Sequence, residues 1–358
     1  MLPGPGIRKP RFCRLLLKIP EILLAATVLM ASSALAQANS AASLVHQGEA
    51  ALDRGDYAQA LAAFQQAHQA APDDLPAARG LLLSYLQTGR LSDAVLLGQQ
   101  SVQHWPRDAQ LHHWLGLAYF KSGQNREAAE TLGIAAKLDP AAADIRFDHA
   151  LALLSTGQYA PAADELEAVT RAQPSNVMAH VLLGRAYLNS NRTLQSIDQF
   201  QAALRLDPNT PLGYYHLGFA YASLGRNQEA IAEYKKEIAR TPGNPEVLYQ
   251  MGHCLLETGD WNSAITYLKR ATAADPRNPD AFYDLGKALA SSGSYADSIP
   301  ILRQAIELKP ADPSPHYQLA RALEKTGDSA GARQEFQRFA ELKKLQPQTG
   351  GMASGRNQ

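Results

Sequence analysis

Ten histidines and two cysteines are the residues here whose types most invite metal or nucleophile chemistry. His112 and His113 are adjacent, and His149, His180, His216 and His253 follow further along the chain. Adjacent residues on a helix point about 100° apart, so His112 and His113 make a poor chelate. Cys13 lies near the N-terminus and Cys254 has no partner further on, which argues against a disulfide framework. A phosphate-cradling G-x-x-x-x-G-K-[ST], a G-x-S-x-G elbow, an H-E-x-x-H pair and a C-x-x-C pair are all missing from the sequence. The expectation is a chain with no catalytic residue, no metal and no cofactor.

The elements that carry these residues announce themselves by repetition. Gly55, Gly89, Gly123, Gly157, Gly225, Gly259, Gly293 and Gly327 fall on one 34-residue grid, whose single vacancy is filled by Asn191. Ala60, Ala94, Ala128, Ala162, Ser196, Ala230, Ala264, Ser298 and Ala332 form a second row. Pro72, Pro106, Pro140, Pro174, Pro208, Pro242, Pro276 and Pro310 form a third, with Lys344 at the ninth place. Three rows in one register, without an insertion, define nine units that start at residues 41, 75, 109, 143, 177, 211, 245, 279 and 313. Positions within a unit are numbered 1 to 34 below.

Each unit has a physical logic. Apolar and small residues recur at helical spacing over the first 14 positions, as with Leu115, Gly116, Tyr119 and Phe120. The grid glycine then ends this first helix in a left-handed conformation, and Asn is the next most tolerant residue there. Asn191-Arg192-Thr193 also spells a glycosylation acceptor, but the grid already demands a turn residue at that place. A second helix runs towards the proline, which cannot continue it. Small residues at position 8 (Gly48, Gly116, Gly184, Gly218, Gly252, Gly286) and at position 20 should let the paired backbones approach closely. The second unit departs, with Leu82 at the small position and Gly98 where a large residue is usual, and should be the loosest joint. On this grid the six histidines occupy positions 4, 5, 7, 4, 6 and 9, so they form no single facing row.

With Leu217, Gly218, Tyr221, Gly225, Ala230, Tyr234 and Pro242 in the sixth unit, the pattern resembles the tetratricopeptide repeat over residues 41–346. The resemblance implies an all-α, right-handed superhelical solenoid of nine 34-residue helix-turn-helix repeats. It also implies that positions 2, 5, 6, 9, 12 and 13 of the first helices face a ligand. Read along the chain, those positions give apolar Leu83, Leu86, Leu117, Phe120, Phe147, Leu151 and Leu154, then Arg185 and Phe219. Further on they give His253, Lys287 and Arg321, with Glu246, Asp280 and Asp284 nearby, and a row at position 5 of Tyr215, Tyr249, Tyr283 and Tyr317. A groove that is apolar in its N-terminal half and charged in its C-terminal half would suit a segment with apolar anchors followed by acidic residues. The alternatives are that the Leu and Phe residues only pack neighbouring first helices, and that Asp284 pairs with Lys287 on its own helix. Two groove chemistries of the family, a clamp for a C-terminal carboxylate and a ladder of asparagines at position 6, lack their residues here.

Residues 1–36 read as an export signal: a basic stretch from Ile7 to Lys18, an apolar run from Ile22 to Met30, and Ala34-Leu35-Ala36 as the cleavage site. The expected location is therefore periplasmic or secreted, or membrane-anchored where the signal stays uncleaved. The full chain has 34 basic and 34 acidic residues; the segment removes five basic and one acidic, leaving 29 and 33, a net charge near −4. That balance argues against a nucleic-acid partner. Residues 347–358 should be a disordered tail. The ninth unit lacks its proline and runs on through Phe336 and Phe339, so it either caps itself with Glu335, Arg338 and Glu341 or meets a partner. The expected function is a non-catalytic scaffold that binds a protein or peptide segment, with homodimeric or polymeric assembly through the last unit as the alternative.

Overall fold

The computed structural model describes residues 40–345, so the segments expected to be an export signal (1–36) and a disordered tail (347–358) lie outside the described residues. Within them the chain forms eighteen helices and no strand. The first hairpins are α1 (40–53) with α2 (Tyr57–Ala70), α3 (Leu75–Gln87) with α4 (Leu91–His104), and α5 (Ala109–Lys121) with α6 (Asn125–Leu138). Then follow α7 (Ala143–Ser155) with α8 (Tyr159–Ala172), α9 (Val177–Asn189) with α10 (Thr193–Leu206), and α11 (Gly213–Ser223) with α12 (Asn227–Arg240). The series ends with α13 (Pro245–Glu257) and α14 (Trp261–Ala274), α15 (Pro279–Ser291) and α16 (Tyr295–Leu308), and α17 (Pro313–Lys325) and α18 (Ser329–Leu345).

Local chemistry sets these boundaries. Asn or Asp precedes many first helices and caps them: Asn244 accepts from the Val247 amide at 3.2 Å and Asp108 from the Leu111 amide at 2.9 Å. Pro245, Pro279 and Pro313 stand at the first helical position, where a missing N–H costs nothing. At the other end Gly225 takes φ +71°, and Asn191 takes φ +61° at the equivalent turn. Both turns close alike, through Arg226 N–H to Tyr221 O at 3.0 Å and Arg192 N–H to Tyr187 O at 2.8 Å. One left-handed residue was not foreshadowed: Leu212 sits at φ +55°, so α11 begins at Gly213, two residues later than its equivalents.

Packing within a hairpin differs in one respect from the sequence expectation. The glycines at position 8 do not simply oppose the small residues at position 20; they make room for a large residue at position 24. A Cβ on Gly218 would lie 2.7 Å from the Tyr234 ring, and one on Gly252 would lie 2.5 Å from Leu268 Cγ. Tyr234 and Leu268 are completely buried as a result. The second hairpin departs from the arrangement. Leu82 is fully buried at the small position, and the space left by Gly98 at the large one is taken by Leu115 of α5, 2.8 Å from a would-be Cβ. α3 and α4 pack together less extensively than α5 and α6 or α13 and α14 do.

The chain divides into two compact units, the first ending at Val169 and the second beginning at Thr170, within α8. In the first, one core runs from Val45 through Phe64, Leu82 and Leu97 to Leu111. In the second, a longer core runs from Phe200 through Tyr234, Met251 and Leu268 to Leu289. At the C-terminal end α18 is longer than other second helices and turns Phe336 and Phe339 onto the Tyr317 ring, at 5.9 and 5.3 Å between centroids. Glu335 does not cap the outer face: it points inward to His316 Nδ1 at 2.6 Å, while Arg338 and Glu341 pair with each other at 3.2 Å.

Candidate functional site

In the first unit the predicted apolar positions fall on three successive first helices, α3, α5 and α7. Leu83, Leu117, Phe120, Phe147, Leu151 and Leu154 are each half-buried, whereas Leu86 is enclosed by the core. Position 9 lies about 100° round the cylinder from position 8, which turns towards the second helix, whereas position 12 lies only about 40° from it and is enclosed at Leu86 but partly open at Phe120 and Leu154. A polar tie joins two of these helices: His113 Nε2 on α5 donates to the Asp148 carboxylate on α7 at 2.7 Å. His113 is buried by this contact.

In the second unit the equivalent face is polar. Tyr215, Tyr249 and Tyr283 are half-buried at position 5 of α11, α13 and α15, and Tyr317 on α17 is more exposed. Their hydroxyls are partly engaged between units. Tyr215 donates to Glu246 on α13 at 3.4 Å, and burial together with that carboxylate pushes its phenol up. Burial likewise raises Tyr249, with Asp284, Asp280 and Glu246 adding to it. The charged residues also bridge units. His253 Nδ1 donates to Asp284 at 2.7 Å, and Lys287 donates to Glu257 at 3.1 Å. Asp284 therefore pairs across to the preceding first helix and not with Lys287 on its own. Arg321 makes no ion pair among the described residues and lies 6.0 Å over the Tyr317 ring. It borders a cleft of about 230 Å³ shared with Trp261, Tyr295 and Gln318. Phe219 is half-buried beside Tyr215, and Arg185 is exposed.

Histidines do more structural work than their scattered grid positions suggested. His149 Nδ1 donates to Glu165 at 3.2 Å, and Arg146 donates to the same carboxylate at 2.5 Å. Burial opposes ionisation of Glu165, but these two hydrogen bonds hold it below the ordinary carboxylate range. A rule links position 4 to position 23 within a hairpin: Arg146 to Glu165, His180 to Gln199 at 2.7 Å, and His316 to Glu335 at 2.6 Å. The position-4 side chain also reaches back to the carbonyl of the preceding unit's proline, as His112 does to Pro106 at 3.1 Å and His180 to Pro174 at 3.0 Å. His216 is a separate case. It stacks on Phe200 at 5.4 Å and is pushed down to about 4, first by burial and then by the nearby Arg185 charge.

Among the described residues no three His, Cys, Asp or Glu side chains converge as metal ligands, and no helix is long and apolar enough to cross a membrane. Cys254 is buried and burial pushes its thiol up to about 11.

Comparison with known proteins agrees with this architecture. A family model described as tetratricopeptide repeat matches residues 115–177, 147–211, 181–245 and 249–313, and a second of the same description matches 51–97 and 289–345. Similar solved structures include MamA (41-end) from Desulfovibrio magneticus RS-1, at 23% identity over 48% of this chain and 97% of that chain, with a TM-score of 0.46. YrrB, described as a TPR protein with an unusual peptide-binding site, is 22% identical over 52% of this chain and 96% of its own, with a TM-score of 0.46. The APC/C hetero-tetramer Cut9-Hcn1 matches at 16% identity over 75% of this chain and 52% of that chain, with a TM-score of 0.49. No curated protein matches.

Proposed function

The chain belongs to the tetratricopeptide repeat family, and from that premise we propose that it is a non-catalytic scaffold that holds a segment of another polypeptide against its first helices. The observation that carries the proposal is the half-burial of Leu117 and Phe120 on α5 and of Phe147, Leu151 and Leu154 on α7. These are large apolar side chains that the core leaves partly in water, and covering them with an apolar anchor would stabilise a complex by about 25 cal/mol for each Å² removed from solvent. In the second unit Arg321, with its cleft beside Trp261 and Tyr295, supplies a cation for an acidic residue of such a segment. The proposed setting is the cell envelope or the exterior, supported by the basic, apolar and Ala34-Leu35-Ala36 sequence of residues 1–36.

A photoreactive residue placed at Leu117, and separately at Tyr283, should capture one and the same protein in intact cells. Leu96, which is exposed on the second helix α4, serves as the control position. Capture confined to the two first-helix positions is the expected result. Equal capture at Leu96, or none at either first-helix position, would defeat the proposal.

A further inference from the structure

Position 11 of a unit and position 25 of the unit before it form a pair throughout the chain. At three junctions where position 11 is Tyr, Gln at 25 reaches its hydroxyl: Gln65 to Tyr85 at 3.3 Å, Gln99 to Tyr119 at 2.8 Å, and Gln201 to Tyr221 at 3.0 Å. The fourth tyrosine of the row, Tyr187, follows Glu167 at position 25 and has Arg192 4.1 Å over its ring. An arginine at position 16 can cover the ring as well, Arg90 lying 4.8 Å over Tyr85 and Arg226 4.6 Å over Tyr221. Where position 11 is Leu255, Leu289 or Leu323, position 25 carries the long side chain of Lys235, Lys269 or Arg303. One junction has no side chain at position 25 at all. Between α6 and α7, position 25 is Gly133, position 11 is Leu153 and position 16 is Gln158.

The missing side chain leaves an open pocket of about 450 Å³ in the first unit, lined by Gly133, Leu153 and Gln158 together with Lys137 and His149. His149 is itself a departure, since position 7 is Leu or Met in every other unit from the second to the ninth. Its Nδ1 donates to Glu165, a carboxylate held by that hydrogen bond and by one from Arg146, so in the neutral imidazole Nε2 is the nitrogen that can accept. That Nε2 is directed at Gly133, where an added Cβ would lie only 3.1 Å away. Glycine is thus what leaves the acceptor open to the pocket.

We infer that this pocket receives the phenol side chain of a tyrosine from a partner polypeptide, with the ring against Leu153 and the hydroxyl donating to His149 Nε2. The slot is the place that a tyrosine of the chain itself fills at other junctions, and the histidine replaces the missing glutamine as hydrogen-bond partner. An anion suits it less well. Arg126 and Glu130 at the rim engage each other at 3.3 Å, and Nε2 offers a lone pair, not a proton. The inference is independent of the first-helix surface proposed above, because α6 is a second helix and the pocket lies on a different face of α7.

The test is a titration of the native protein with N-acetyl-tyrosinamide, followed by NMR of the His149 imidazole and the Leu153 methyls. Saturable shifts of both are expected, with N-acetyl-phenylalaninamide binding at least about tenfold more weakly for want of the hydroxyl. The Gly133→Gln, Leu153→Tyr protein restores the pair used at three other junctions and should show native helicity and no binding. His149→Leu installs the residue found at position 7 in six other units and should abolish the preference for tyrosinamide over phenylalaninamide. Absence of saturation in the native protein, equal affinity for the two amides, binding retained by the filled variant, or a preference retained by His149→Leu would each overturn the inference.

Discussion

His253 donates from Nδ1 to a carboxylate oxygen of Asp284 across 2.7 Å, and this contact ties α13 to α15. Asp284 is buried, whereas His253 keeps one edge in water. The hydrogen bond to Asp284 raises the His253 pKa, with burial acting against it. A raised histidine contributes stability that is fully present below its unfolded value of 6.5 and is lost as pH rises through the higher folded value. Asp284→Asn should therefore cost about 1 kcal/mol in acid, discounted for the exposed imidazole, and less in alkali. Urea denaturation on either side of that window checks it. A deficit that does not change with pH would mean the contact is steric and not ionic.

His216 should behave in the opposite sense. Its folded pKa is depressed to about 4 by burial and by Arg185, so the unfolded chain binds the proton first as pH falls below 6.5. Stability is then lost between about pH 6.5 and pH 4, on the order of 2 kcal/mol once solvent screening is allowed for. His216→Phe retains a ring against Phe200 and should flatten this part of the profile. An NMR titration that finds the native imidazole charged at pH 6 would remove the basis of the prediction.

The helices and their turns were legible in the sequence because turn chemistry is local. A left-handed residue needs Gly or Asn, and the grid glycines and Asn191 fell where they were expected. Leu212 escaped because nothing in its own side chain asks for φ +55°. Polar pairing was less legible. His149 meets its acceptor on the second helix of its own hairpin, His253 on the first helix of the next and His46 on its own helix, so no single spacing marks the pairs. The link between positions 4 and 23 could have been found by reading columns together, from Arg146 with Glu165, His180 with Gln199 and His316 with Glu335. Leu82 and Gly98 were visible as two irregularities, but that Leu115 of the next repeat fills the space at Gly98 follows only from how the helices pack.

The contact between positions 8 and 24 makes a prediction at a regular hairpin. Gly252→Leu alone forces a side chain into Leu268, whose Cγ lies 2.5 Å from the would-be Cβ, and should cost about 1–3 kcal/mol. Leu268→Gly alone empties a fully buried site and should cost about 2–5 kcal/mol. Together they exchange the small and the large residue across one contact, so the double variant should recover at least about 1 kcal/mol relative to the sum. A denaturation cycle measures this coupling. Strict additivity would show that the two positions do not share one space.

The turn residues can be tested without any change in packing. A Cβ on Gly225 meets nothing within 4 Å, so Gly225→Ala changes only the backbone preference at φ +71°. It should lower stability by about 1–2 kcal/mol. Asn191→Gly should raise stability by a few tenths to about 1 kcal/mol, since the same conformation is then unstrained. Opposite signs in thermal denaturation are expected, and a stabilising Gly225→Ala would contradict the left-handed turn.

The half-buried residues of α5 and α7 decide between a binding surface and simple packing. Leu117 and Leu151 both stand at position 9, and each has one side against its neighbours and one side in water. If the wet side binds a partner, a charge there can turn outward when the protein is free and is trapped only in the complex. Leu117→Glu with Leu151→Glu should then leave helicity and melting nearly unchanged and weaken binding of the captured protein by at least about 3 kcal/mol, the cost of desolvating two carboxylates without partners. If packing is their whole purpose, the same charges must be buried within the free protein, and the melting temperature falls by several degrees for each kcal/mol lost. Circular dichroism and a binding isotherm on one sample separate the outcomes, because a folded variant with native affinity would exclude the surface as surely as an unfolded one.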